Sequence, residues 1–311
     1  MNDHSPQAVK ARKPGINAMK PSYELLTHIF FILIAAACLF PVLVVLGVSF
    51  TDQQTIYVHG YNLIPRDFSV EAYAFLFRDI GPIVRAYGVT LAVTLIGTTV
   101  ALTITALFAY PLSRQDFAFR NFFSFFIFFT MIFGGGLVPW YLTYTYFFDI
   151  RDTLLALIVP NHLLSAFFVI IVRTFFTQSI HPSILESAKI DGAKELRIFA
   201  QIVLPLSLPV LATIGLFYTL AYWNDWFNSL VFINKNKLVS LQYLMYLALR
   251  NLQFMSNYAS VAGLSPEQMA KLPTETARMA MAIIGMGPIV IAFPFFQRYF
   301  VSGLTVGAVK G

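Results

Sequence analysis

Long apolar stretches without charge are the feature of this sequence that most constrains its fold. Six stretches lack Asp, Glu, Lys and Arg in their interiors, and each is close to the ~20 residues that cross a bilayer as a helix. Because backbone polar groups in lipid must pair within the chain, we predict an all-α membrane protein. The six predicted transmembrane helices are residues 29–50, 86–110, 122–144, 153–172, 202–222 and 279–296.

The composition also indicates a lipid environment. Apolar residues make up 58% of the 311 residues and charged residues only 12%, whereas a soluble domain carries about 25% charged residues. The single Cys38 excludes an internal disulfide and a thiolate metal site. The first apolar stretch is longer than the ~7–15 residues of a signal-peptide core. We therefore expect it to remain as an uncleaved first span.

The distribution of Lys and Arg predicts the orientation, since short cytoplasmic segments are enriched in both. With the N-terminus inside, the cytoplasmic side carries 12 Lys/Arg and 6 Asp/Glu, and the outer side carries 9 of each. We therefore expect both termini in the cytoplasm. The predicted divisions are an N-terminal segment 1–28, a first span 29–50, an outer loop 51–85, a permease core 86–298 with a cytoplasmic loop 177–201, and a tail 299–311.

The cytoplasmic loop between spans four and five contains the most informative pattern. Pro182 suits the first turn of a helix, and Gly192 suits the left-handed residue that ends one. Residues 193–204 then continue as a second helix towards the membrane. The loop mixes both charge signs with small side chains, which favours docking into a protein cleft over binding to an anionic lipid surface. A solvated structural loop remains the alternative from composition alone.

The spacing in this loop resembles a family motif. Glu186-Ser187-Ala188 is followed by Gly192 and, nine residues later, by the run Ile-Val-Leu-Pro at 202–205. This is similar to the Glu-Ala-Ala, Gly, Ile-x-Leu-Pro motif of binding-protein-dependent ABC importers, with Ser187 as the one departure. The runs at residues 110–114, 134–139, 294–303 and 306–311 resemble the carbohydrate-uptake branch, in particular the MalG-like permeases for oligosaccharides and polysaccharide fragments.

The resemblance implies a type I ABC importer permease in a bacterial inner membrane. The loop would couple the permease to a separate ATPase, which binds ATP and Mg²⁺; this chain has no Gly-x-x-x-x-Gly-Lys-[Ser/Thr] loop of its own. The implied partners are a second permease subunit (a heterodimer), two ATP-binding subunits, an extracytoplasmic solute-binding protein, a carbohydrate and membrane lipid. We expect no nucleic acid, catalytic residue, cofactor or metal. The implied coupling residues are Glu186, Ser187, Ala188, Asp191, Gly192, Ile202, Leu204 and Pro205.

Polar and aromatic residues near the predicted outer half could line a solute pathway. The predicted spans contain no Asp, Glu, Lys or Arg in their interiors and one His, His162. This argues against an ion-coupled carrier, which usually places charged groups inside the membrane. Interhelical hydrogen bonds by Asn161 and His162, and anchoring of the tryptophans at the lipid interface, remain alternatives. The predicted pathway residues are Asn161, His162, Tyr218, Tyr222, Trp223, Asn224 and Asp225.

The outer segment 224–278 is predicted to be a long loop that meets the solute-binding protein. Gln253, Asn257 and Tyr258 are the predicted contact residues, either reaching the sugar or docking without touching it. Two other functions compete with carbohydrate import. An ABC permease for a non-sugar solute would share the motif at 186–205, and an ion-coupled carrier would need buried charges and an inverted repeat.

Overall fold

The structure is a computed structural model that describes residues 21–261 and 274–308. Residues 1–20, 262–273 and 309–311 lie outside the described residues, and with them parts of the predicted N-terminal segment 1–28, outer loop 224–278 and tail 299–311. The described part is helical, as predicted, with one isolated β-bridge between Thr51 and Phe68. The helices are α1 (Pro21–Ser49), α2 (Gln53–His59), α3 (Glu71–Leu76), α4 (Ile80–Ser113), α5 (Arg120–Ile132), α6 (Leu137–Leu142), α7 (Leu155–Ile158), α8 (Ala166–Ser179), α9 (Pro182–Ile190), α10 (Glu195–Ile198), α11 (Leu204–Leu206), α12 (Leu208–Trp223), α13 (Phe227–Phe232), α14 (Leu241–Val261) and α15 (Thr274–Ala308).

Membrane-spanning length is reached in two ways in the described residues. Two helical segments, Ser22–Ser49 and Glu71–Ser113, are by themselves long and apolar enough to cross a bilayer. Three further pairs of helices reach that length only if each bent pair is counted as one span, which brings the number to at most five. The predicted sixth span, residues 279–296, lies inside α15.

The predicted third span bends where its glycines lie. α5 and the segment Leu137–Phe147 meet at 116° across residues 133–136. Gly136 has φ +82°, a conformation that costs glycine little because it has no Cβ. A Cβ at Gly134, Gly135 or Gly136 would meet nothing within 4 Å. The glycines therefore provide the bend, and close helix packing does not explain them.

The prediction of one continuous fourth span at 153–172 is wrong. The four-residue α7 ends at Ile158 and α8 begins at Ala166. Pro160 removes a helical N–H, and Asn161 has φ +67°, which a right-handed helix cannot contain. α8 then continues to Ser179, beyond the predicted end of the span.

The fifth predicted span is also not continuous. Segments Glu195–Leu206 and Leu208–Trp223 meet at 82°, with Ser207 at the bend. Its amide donates to Val203 O and Leu204 O at 3.1 Å each. Pro205 and Pro209 lie on either side of this residue, and Pro209 occupies the first turn of α12, where its missing N–H is harmless.

The core forms around α4 and α12. α4 packs against α8, α12 and α14, while α15 packs against α1 and α12. Close approach of α4 to α12 depends on Gly97, where a Cβ would lie 2.6–2.8 Å from the Tyr222 ring. The apolar face of α1, by contrast, remains exposed in this single chain. The helices on either side of the predicted cytoplasmic loop, α8 and α12, therefore both pack against α4.

Candidate functional site

The predicted coupling loop folds as its sequence suggests. α9 begins at Pro182, and the His181 ring Nδ1 accepts from the Ser183 amide at 3.4 Å. Gly192 ends the turn with φ +78°. The Gly192 amide donates to Lys189 O at 3.0 Å and the Ala193 amide donates to Ala188 O at 2.9 Å. These bonds satisfy the last carbonyls of the helix and fix its end.

One face of α9 packs inward and the other is open. Leu185 and Ala188 are buried, whereas Glu186 and Ser187 are exposed. Ile190 is 86% exposed, and Leu196 on the following helix is 76% exposed. Solvent-exposed aliphatic side chains beside charged ones form a surface suited to binding a protein partner.

The eight predicted coupling residues are split between this surface and its support. Asp191 and Gly192 are exposed together with Glu186 and Ser187. Ala188 packs beneath them in the core. The other three lie around the bend before α12, where Ile202 and Leu204 are half-buried and Pro205 is exposed.

Five side chains tie α9 to the end of α4, and we name this group the coupling clamp: Tyr110, Arg114, Asp116, Lys189 and Glu195. Lys189 Nζ lies 3.0 Å from Asp116 Oδ2 and 2.9 Å from Glu195 Oε1. The Tyr110 hydroxyl donates to Glu195 Oε2 at 2.6 Å. Arg114 donates to both Asp116 oxygens, from Nε at 3.1 Å and from Nη2 at 3.0 Å. The clamp therefore connects α4, the turn after it, α9 and α10.

The electrostatics of the clamp keep its central carboxylate charged. Hydrogen bonds from Arg114 and then Lys189 hold the pKa of Asp116 well below its usual range. The sequence pattern alone does not predict the clamp as a unit. The sequence does show acidic and basic residues in the short turn 114–120, and residues of both signs in the loop at 177–201 with which they could pair.

A second polar cluster lies at the break before α8 and the end of α12. His162 Nε2 is 3.5 Å from Asp225 Oδ2, and the His162 ring meets the Tyr222 ring edge-on. The Asn228 side-chain Nδ2 donates to Pro160 O at 3.0 Å, and the Asn228 backbone N–H donates to Asp225 Oδ1 at 3.0 Å. The bond from Asn228 Nδ2 gives the Pro160 carbonyl a partner where the break interrupts the helical hydrogen bonds.

The predicted pathway residues divide by exposure. Tyr218, Tyr222 and Trp223 are only 1%, 1% and 3% exposed. Trp223 Nε1 donates to Gly285 O at 3.0 Å and so joins α12 to α15; anchoring of this ring at the lipid interface is therefore wrong.

The two buried tyrosines are likewise bound within the core. The Tyr218 hydroxyl pairs with Thr105 Oγ1 at 2.7 Å, and the Tyr222 hydroxyl donates to Ile158 O at 2.9 Å. The other four predicted pathway residues reach the surface: Asn161 and Asn224 are exposed, and His162 and Asp225 are partly exposed.

The predicted outer loop at 224–278 is largely helical where it is described. α13 and the 21-residue α14 occupy much of it, because Leu241, Met245 and Leu252 recur at helical spacing and are buried. Gln253, Asn257 and Tyr258 are exposed near the end of α14. Contact with a solute-binding protein remains a prediction for them.

Comparison with known proteins gives a consistent result. Residues 103–306 match the family described as binding-protein-dependent transport system inner membrane component. The chain is 35% identical over 291 residues to the polygalacturonan/rhamnogalacturonan transport system permease protein YtcP of Bacillus subtilis, covering 93% of this chain and 98% of that protein. It is 34% identical over 278 residues to protein LplC of the same organism, covering 89% and 91%.

A solved structure has the same fold. One chain of a bacterial ABC transporter involved in the import of the acidic polysaccharide alginate matches with a TM-score of 0.74 and 24% identity. The match covers 91% of this chain and 99% of that one. This chain therefore belongs to the family of binding-protein-dependent transport system inner membrane components, and it is a permease subunit of an ABC importer.

Proposed function

We propose that this chain forms half of the pathway of an ATP-driven oligosaccharide importer. It pairs with a second, different permease subunit and is driven by two ATP-binding subunits that dock on the α9 surface. A solute-binding protein delivers substrate to the opposite face. Both termini lie in the cytoplasm, and the chain resides in the bacterial inner membrane.

The observation that carries this proposal is the construction of α9. The helix is capped at both ends, ends at a left-handed Gly192, and presents Glu186, Ser187 and Ile190 to solvent. The clamp ties it to α4, so a force applied to α9 reaches the core of the permease. A mobile loop with the same residues would not transmit such a displacement.

We further propose pectin-derived, galacturonate-containing oligosaccharides as the substrate class. The similarity to YtcP, a polygalacturonan/rhamnogalacturonan permease by name, extends over nearly the whole of both chains. Another relative, AraQ of Halalkalibacterium halodurans, is an arabinooligosaccharide permease and is 28% identical over 302 residues. Both names support a carbohydrate substrate. The higher identity to YtcP supports an acidic carbohydrate.

Uptake by the complete transporter in proteoliposomes tests this proposal. We expect ATP inside the vesicles, with the solute-binding protein outside, to drive accumulation of labelled trigalacturonate. A proton or sodium gradient without ATP should drive none. ATP-dependent uptake of an amino acid but of no oligosaccharide would favour the non-sugar permease. Uptake driven by an ion gradient alone would contradict the ABC mechanism.

A further inference from the structure

A cavity of about 290 Å³ lies between α5 and α8, at the end of these helices nearest the coupling clamp. Its wall is largely apolar, with Phe125, Phe128 and Ile170 among the residues that form it. Arg173 and Ser124 bring polar atoms to the same space. The cavity therefore combines a hydrocarbon-like wall with a cationic end.

The cationic end has two arginines without a carboxylate partner among the described residues. Neither Arg120 nor Arg173 lies within ion-pair distance of an Asp or Glu in residues 21–261 and 274–308. Arg173 uses its Nε to donate to Leu112 O at 3.1 Å, which leaves its terminal nitrogens available. Arg173 lines the cavity, and Arg120 lies at the start of α5, one helical turn before Ser124, which also lines it.

Two buried polar atoms at this end also lack partners in the described structure. They are Arg120 Nε and Ser124 Oγ, which lie one helical turn apart on α5 and so share one face. A buried polar group without a hydrogen bond is destabilising, and a buried unpaired charge more so. An anion at this end of α5 could accept hydrogen bonds from both groups.

The neighbouring acidic residues are already engaged. Asp116 is bonded to Arg114 and Lys189, and Glu195 is bonded to Lys189 and Tyr110. The clamp therefore balances its own charge and offers nothing to Arg120 or Arg173. An anion that pairs with these arginines would therefore not be a carboxylate of the clamp.

We propose that this cavity binds an anionic phospholipid. The phosphate would accept hydrogen bonds from Arg120, Arg173 and Ser124, and an acyl chain would lie along the apolar wall. The site is on the α9 side of the molecule, which the proposed orientation places at the cytoplasmic leaflet, where anionic headgroups are recognised by basic pockets between helices. Arg suits this role because its planar guanidinium binds phosphate oxygens in pairs.

The test is native mass spectrometry of the assembled transporter titrated with phosphatidylglycerol or phosphatidylcholine. We expect phosphatidylglycerol to be retained by the wild type and phosphatidylcholine to be lost. Arg120→Gln and Arg173→Gln should each weaken phosphatidylglycerol binding about fivefold, the effect of one basic residue at an anionic lipid surface. Arg173→Lys, which keeps the charge, should retain most of the binding.

The matched control is Lys194→Gln, which removes an exposed cation from the same side of the molecule but outside the cavity. It should leave retention of phosphatidylglycerol unchanged. Equal retention by wild type and both arginine variants would overturn the proposal, and would fit a cavity covered by the second permease subunit. Retention of inorganic phosphate with no retention of phosphatidylglycerol would also overturn it, since the cavity would then bind a free anion and not a lipid. Failure of Arg120→Gln to assemble leaves Arg173→Gln and Arg173→Lys as the deciding pair.

Discussion

Two glycines show how single residues set the geometry of this permease. Gly97 lies on α4 against the Tyr222 ring, where a Cβ would lie within 2.8 Å of three ring atoms. Gly192 has φ +78° in open space. The first glycine is required by packing and the second by backbone conformation, so substitutions at the two sites should fail in different ways.

Gly97→Ala should destabilise the chain, because an aromatic ring held between helices cannot move aside easily. Overpacking of this kind costs roughly 1–3 kcal/mol. Thermal denaturation of the detergent-purified protein would measure the loss. Gly88→Ala on the same helix is the matched control, since its Cβ would meet nothing within 4 Å. An equal loss for both variants would show that the contact with Tyr222 is unimportant.

Gly192→Asp should abolish ATP-driven uptake while leaving membrane insertion intact. The new side chain strains a left-handed residue by about 1–2 kcal/mol and adds charge to the docking surface. Glu186→Lys should act in the same way without backbone strain. Uptake in proteoliposomes and membrane fractionation would be measured in parallel.

The matched control for backbone strain is Gly60→Asp, which lies far along the chain from α9 and has φ +71° with no atom within 4 Å of a Cβ. We expect it to retain uptake. Normal uptake by Gly192→Asp or by Glu186→Lys would remove α9 from the coupling mechanism.

At the scale of elements, the clamp gives α9 a second connection to the core besides its covalent links to α8 and α10. Exposed ion pairs contribute only about 0–1 kcal/mol to stability, and Asp116 is largely exposed. The clamp therefore adds little to folding. Its proposed effect is to make α4 follow α9 when the ATP-binding subunits close.

Lys189→Glu should reduce the substrate transported per ATP hydrolysed several-fold while changing thermal stability little. The reversed charge repels Asp116 and Glu195 and frees α9 from α4. Adding Asp116→Lys should restore part of the ratio, because a pair of opposite sign can form again. Lys194→Glu, an equal charge change outside the clamp, should leave the ratio near wild type. A clamp without a role in transmission would leave transport per ATP unchanged in Lys189→Glu.

The clamp should also be insensitive to pH in the physiological range. The pKa of Asp116 is lowered on folding, so its stabilising effect is complete above the unfolded value of about 3.9 and is lost as the pH falls through the lower folded value. We therefore expect the difference in thermal stability between Asp116→Asn and wild type to be the same at pH 6 and pH 8. A difference that vanished at pH 6 would mean that Asp116 is protonated there.

The helices also show which features can be predicted from a sequence and which cannot. Apolar length predicted helices, and Pro182 and Gly192 predicted the ends of α9, since these are local properties of the chain. The breaks at Pro160 and Ser207 were missed because apolar composition does not distinguish a straight helix from two helices at an angle. The Lys189–Asp116 and Tyr110–Glu195 contacts of the clamp, and the His162–Asp225 contact, join residues more than 60 positions apart. Such pairs follow from helix packing, which no single-sequence pattern specifies.

At the scale of the whole molecule, the described part of the chain leaves large apolar surfaces exposed. Residues 22–43 of α1 are exposed, and Phe122, Phe125 and Phe126 of α5 are also exposed. Lipid and the proposed second permease subunit would both suit such surfaces. The family membership of the chain is consistent with the proposed power from separate ATP-binding subunits.

Cross-linking from α9 to the ATP-binding subunit tests the central claim most directly. Cys38 is first replaced by Ser, and Ser187→Cys or Val58→Cys is then introduced into the assembled transporter; both positions are exposed. We predict that a thiol-specific photo-cross-linker at position 187 captures the ATP-binding subunit, with a yield that changes on ATP binding, and that position 58 never does. Capture from position 58, or none from position 187, would contradict the account.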